Sequence, residues 1–154
     1  MTMREVFLDQ LAAIYDENNW FVCYEMSIQD LEDYQVHERP DDEQTHSIAE
    51  LLNHLYFYNY RYLCRFRGEE IDELPRYYDT FQDHGTLSWR QVAASNSVVL
   101  SEFRKEIKRC SDEKLEKWAT TLSHLFIHNA YHIGQVVHIR KQFGTWSLSP
   151  VVRG

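Results

Sequence analysis

Four long stretches of this chain repeat apolar residues every three or four positions, the spacing that gathers them on one face of an α-helix. Only five Gly and three Pro interrupt 154 residues, too few for a turn-rich all-β architecture. The expected fold class is therefore all-α, and four amphipathic helices of this length point to an antiparallel four-helix bundle. The length suits one domain spanning 1–154. A chain of this size buries roughly 70% of its unfolded surface and needs no disulfide to hold a core.

The first stretch runs from about Arg4 to Tyr15, with Val6, Leu8, Leu11, Ala12 and Tyr15 near one face, and Asp16 to Asn19 break it. A short helix is expected after Ser27, where Ser27 to Asp30 reads as a capping box. The polar run Glu38 to Gln44 reads as a loop. The second long helix is read from about His46 to Phe66, with Thr45 or Ser47 as its cap and Gly68 as its stop. A link of about 20 residues follows, containing Pro75 and the Asp83–Thr86 run. The third helix is read from about Ser88, again a capping box, to Arg109. Ser111 opens a further helical stretch, with a break expected near Thr120, and the fourth helix ends at Gly144 after about Phe143. There is no internal repeat and no clear strand pair.

Charge narrows the partners. With 16 Lys and Arg against 24 Asp and Glu the net charge is −8, which repels a phosphate backbone, so no nucleic-acid partner is expected. No run of 18 apolar residues is present, so no membrane span is expected. The run Met1 to Gln10 turns acidic too early for a signal peptide, and the expected compartment is cytoplasmic. Cys23, Cys64 and Cys110 are odd in number and widely spaced, so neither a disulfide framework nor a cysteine zinc site is indicated. Cys64 falls opposite the core stripe of the second helix, and no cysteine has a sequence-adjacent His, which disfavours a Cys/His hydrolase. A ferritin-like di-iron site is disfavoured too: it needs paired Glu-x-x-His motifs, and only Glu43 to His46 has that form.

Eight histidines are many for this length, and position separates them. On a helical wheel for the fourth helix, His132 and His128 lie at the edge of the apolar stripe, one turn apart. His124 is farther out, and His138 points toward solvent. Imidazoles at i and i+4 have Cβ atoms ~6 Å apart and can converge on one ion. His54 flanks the core stripe of the second helix in the same way. A His pair from one helix and a single His from another make a three-imidazole metal site with open positions, the pattern of a catalytic rather than a structural zinc site. His124 competes as third ligand, but the chain rises ~12 Å from His124 to His132, too far for all three to hold one ion; it is read as outer support or surface. His37, His46 and His84 are read as solvated.

Two runs carry a family resemblance. One extends from Ser47 to Leu55 and includes His54; the other extends from His128 through His132 to Gln135, followed by Arg140 and Gly144, Thr145 and Trp146. In these residues and in helix order along essentially its full length, the chain resembles the DinB-like (DinB/YfiT-like) family. That resemblance implies an antiparallel bundle with a long crossing connection, often a homodimer. It implies one divalent metal ion per chain, zinc or nickel, held by His54, His128 and His132. Some relatives are thiol S-transferases using bacillithiol, mycothiol or glutathione, which implies stress or detoxification chemistry with a low-molecular-weight thiol cosubstrate.

A metal with open positions lowers the pKa of bound water toward ~7 and deprotonates a bound thiol. Three readings follow: thiol transfer to a small electrophile, hydrolysis by metal-bound hydroxide, and metal or small-molecule binding without turnover. Glu50, Tyr58 and Arg61 share the flank of His54 and are the catalytic candidates. Glu50 is read as a base or as orienting an imidazole, and Arg61 or Arg65 as holding a substrate carboxylate. Gln135, near His132, is read as a supporting residue. Eight Phe, ten Tyr and four Trp exceed what one core stripe uses. Tyr56, Phe57 and Tyr60 fall outside the inner face of the second helix, which implies loop cover or a partner subunit.

Overall fold

The computed structural model describes residues 1–41 and 44–154. Glu43, part of the Glu-x-x-His run and of the expected polar loop, lies outside the described residues. Six helices and no strand are present among the described residues: α1 (Met3–Tyr15), α2 (Tyr24–Ser27), α3 (Asp33–Val36), α4 (Ile48–Arg67), α5 (Trp89–Arg109) and α6 (Asp112–Gln142). The all-α class and the four long helices agree with the periodicity. No helix is long and apolar enough to cross a membrane among the described residues. The chain groups into two compact units, residues 1–31 with 103–154, and residues 32–102.

In the first unit α1 packs on α6, and α2 packs on both. Phe7 meets Phe126 edge to face at 6.1 Å, and Leu11, Ile14, Leu115, Leu122, Ile133 and Val136 are buried. Thr2 and Glu5 form a full capping box at the start of α1. Polar ties fix the ends. Arg4 Nη2 donates to Cys110 O at 2.9 Å, and Arg104 Nη1 donates to Asp16 Oδ2 at 2.8 Å. Arg140 is 1% exposed, donates to Ser27 O at 2.8 Å and to Thr145 O at 3.0 Å, and lies 5.0 Å from the Trp146 ring. Part of the family-like run after His132 is thus a clamp on the segment that follows α6.

In the second unit Ser47 Oγ accepts from Glu50 N while Glu50 Oε2 accepts from Ser47 N, so Ser47 caps α4. At the other end Gly68 takes φ +79° and turns the chain back, with Glu69 N bonded to Cys64 O at 3.0 Å. Asn59 Nδ2 donates to Asn96 Oδ1 at 2.9 Å, joining α4 to α5. Trp89 Nε1 donates to Asp33 Oδ1 at 2.7 Å, joining α5 to α3. Ser88 and Gln91 form the expected box at the start of α5.

Four expectations are corrected. Ser27 opens no helix: it ends α2, its hydroxyl donating to Tyr24 O at 2.7 Å, a local bond that Ser offers in place of a cap. There is no break near Thr120; α6 runs unbroken for 31 residues, because burial along one face outweighs the weak helix propensity of the paired threonines. Cys64, read as facing away from the core stripe of α4, is nonetheless buried. The link of residues 69–88 folds back over that side of α4, and Phe57 stacks on Tyr78 at 5.5 Å. His46 is half-buried rather than fully solvated: its ring stacks on Phe81 at 3.6 Å.

Candidate metal centre

The α6 half of the site is built by helical spacing alone. His128 and His132 stand edge to face, ring centroids 4.6 Å apart, with their Nε2 atoms 3.1 Å apart. Two nitrogens each ~2.0–2.1 Å from one ion stand ~2.9 Å apart at a right angle and ~3.4 Å apart at a tetrahedral angle. The observed separation falls between the two. His132 Nδ1 lies 2.6 Å from Gln135 Oε1. The amide oxygen only accepts, so Nδ1 carries the proton and Nε2 keeps its lone pair. Burial, and then the neighbouring His132, push the His128 pKa down to about 4. The ring is neutral at neutral pH, the form a ligand requires.

The α4 half is built by the link. His54 is buried. Its Nδ1 lies 2.7 Å from Thr80 Oγ1, its face stacks on Phe81 at 4.0 Å and an interplanar angle of 5°, and Tyr58 meets it edge-on at 4.9 Å. Phe81 is itself fixed: Asn53 Nδ2 donates to its carbonyl at 3.0 Å, and its N–H donates to Asp79 Oδ1 at 3.0 Å. The opposite face of Phe81 is covered by His46, so the ring sits between two imidazoles.

His54, His128 and His132 each offer one ring nitrogen, and the three nitrogens lie within 4.8 Å of one another. Three nitrogen donors, two with their other ring nitrogen held by a side-chain oxygen, fit a divalent cation.

The remaining candidates fall elsewhere or in supporting positions. Glu50 accepts from Arg39 at 2.8 Å and lies 2.9 Å from His46 Nδ1. Burial raises its pKa, but Arg39, His46 and the Ser47 N–H outweigh burial and hold it below the ordinary carboxylate value. It orients an imidazole, that of His46. Arg61 donates to the Asp72 carbonyl at 3.1 Å on the rim of a cleft beside α4. Gln135 supports His132 as placed above, whereas His124 and His138 are exposed. Cys23 and Cys64 have thiol pKa values raised chiefly by burial, the opposite of an activated nucleophile. The residues that helical periodicity misses are Thr80, Phe81 and Asn53. The available signal was the length of the link, since connections beyond ~12–15 residues are uncommon unless they serve a function.

No curated protein and no solved structure matches the chain. A family model described as the DinB superfamily matches residues 24–136, a span that includes α2 to α5, most of α6 and all three histidines. The chain belongs to the DinB superfamily.

Proposed function

We propose that this protein is a metal-dependent enzyme that transfers a low-molecular-weight thiol to a small electrophile. One observation carries the metal part of the reading: the ring nitrogens of His54, His128 and His132 lie within 4.8 Å of one another. When bound there, a zinc or nickel ion supplies a Lewis acid that favours the thiolate over the thiol at neutral pH. The protein's own groups prepare the site. Gln135 fixes the His132 tautomer, Thr80 and Phe81 fix the His54 ring, and burial keeps His128 uncharged. In the transfer the thiol proton leaves to solvent, the sulfur forms a bond to the electrophilic carbon, and the leaving group departs with its electron pair. A small-molecule substrate, a cytoplasmic setting and a homodimer belong to the same proposal.

The test has two stages. Metal analysis of freshly purified protein is expected to give about one divalent ion per chain, as three His ligands to one ion require, and much less in His54→Ala and His128→Ala. Incubation with monobromobimane or chlorodinitrobenzene and a small thiol is then expected to give turnover that depends on both thiol and metal. Metal binding with no thiol dependence would remove the transferase reading and leave a metal-binding protein.

A further inference from the structure

Beside His54 lies a cleft of about 510 Å³, formed by α4 from Asn53 to Cys64, the link of residues 69–88 and Val92 of α5. Two features define what it can take. The first is aromatic: Tyr56, Phe57, Tyr60 and Tyr78 line it. Tyr56 and Tyr60 stand 5.9 Å apart along α4, and Phe57 stacks on Tyr78 across to the link. Tyr60 is 52% exposed, so ring surface is open to a ligand. The second feature is charge. Glu69, Glu70, Asp72 and Asp83 contribute to the lining against one guanidinium, Arg61, which already donates to the Asp72 carbonyl.

We propose that this cleft binds an organic ammonium with an aromatic or apolar body, and that the electrophile of the enzyme carries such a cationic group in addition to the carbon that accepts sulfur and the leaving group that departs from it. The electron-rich faces of Tyr and Phe attract an ammonium and pack its apolar body. Four carboxylates against one Arg give the cleft a negative field that repels carboxylate-bearing molecules. The cleft is also wired to the metal centre. Thr80, in its wall, bonds to His54 Nδ1, and Asn53, also in its wall, fixes the Phe81 on which His54 stacks. A ligand seated here therefore rests against the residues that aim His54. The substrate role rests on the thiol-transfer reading above; the binding step does not.

The experiment compares two probes with one ring system and opposite charge, 2-naphthylmethylammonium and 2-naphthoate, by calorimetric titration with and without a chelator. The ammonium is expected to bind about tenfold or more tighter than the carboxylate, as aromatic and carboxylate surroundings favour a cation. That preference is expected to survive chelation, so a failed metal reading leaves this result intact. Glu70 and Asp72 are exposed, and the double change Glu70→Gln, Asp72→Asn is expected to shrink the preference without unfolding the protein. Tyr78→Ala is expected to weaken the ammonium several-fold, whereas Tyr78→Phe retains it. Equal or tighter binding of the carboxylate, or no binding of either probe, overturns the proposal. An ammonium preference untouched by both sets of substitutions overturns it as well, because the probe is then elsewhere.

Discussion

The two halves of the histidine cluster are held by different physics. His128 and His132 sit one turn apart near the middle of a 31-residue helix, so their mutual geometry follows from the 3.6-residue repeat and from little else. His54 also rides on a helix, but its ring is aimed by Thr80 and Phe81 from an irregular link, which Asn53 and Asp79 steady in turn. One half is a property of a rod; the other is a property of a loop folded onto a rod. The lesson is that a site can share three ligands of one type and still have one arm that is far easier to disturb than the others.

The largest expected effect treats the halves alike. His54→Ala, His128→Ala and His132→Ala should each leave two imidazoles, and metal content per chain should fall by about tenfold or more. Metal analysis after gel filtration reads this directly. If one of the three retains its metal, that residue is no ligand and the comparison loses one side.

The next effect separates the halves. Gln135→Leu removes the oxygen that fixes the His132 tautomer, and Thr80→Val removes the oxygen bonded to His54. Loss of such a partner usually costs about 10–100-fold in metal affinity. Phe81→Ala should approach the upper end of that range, because it strips the ring support and frees the link together. Competition with a chromogenic chelator measures all three. A smaller loss for Phe81→Ala than for Gln135→Leu would mean that α4 alone aims His54.

The contrast also marks what could be read from the sequence. The four long helices, the Ser47 and Ser88 caps, the Gly68 stop and the HxxxH pair are local patterns, and local patterns survive in one dimension. The covering of Cys64, the stacking of His46 and the role of Thr80 depend on where a 20-residue link folds back, which no periodicity records. Glu50 shows both sides at once. The sequence reads it as a base or as orienting an imidazole beside His54, whereas its carboxylate lies on His46 Nδ1 while it also caps α4 and takes Arg39.

A third prediction concerns pH in metal-free protein. The His128 pKa lies at about 4 in the folded state against an ordinary 6.5, so between those values the unfolded chain binds more protons than the folded one. Stability is then fully present above pH ~6.5, falls as pH drops toward ~4, and is flat with respect to this group below that. With partial exposure discounted, the loss is about 2 kcal/mol. Thermal unfolding of chelated protein across pH 4–7 should show it, and His128→Asn should flatten the slope. An unchanged slope in that variant would place the titration elsewhere.

The smallest expected effect compares how the two helices begin. Ser47 and Ser111 both cap through the side chain, accepting from Glu50 N and Lys114 N at 3.2 Å. Loss of such a cap costs about 1 kcal/mol. Ser47 is buried, and its capping partner Glu50 also holds Arg39 and His46, whose ring supports Phe81 behind His54. Ser111→Ala should therefore cost only the lost cap and leave metal affinity unchanged. Ser47→Ala should cost somewhat more, about 1–2 kcal/mol, and should also weaken metal binding by a few-fold, because the disturbance passes through Glu50, His46 and Phe81 to the ring of His54. Denaturant unfolding and chelator competition on the same pair of variants separate the two quantities. Equal metal affinity in both would show that the Phe81 stack holds His54 without help from the start of α4.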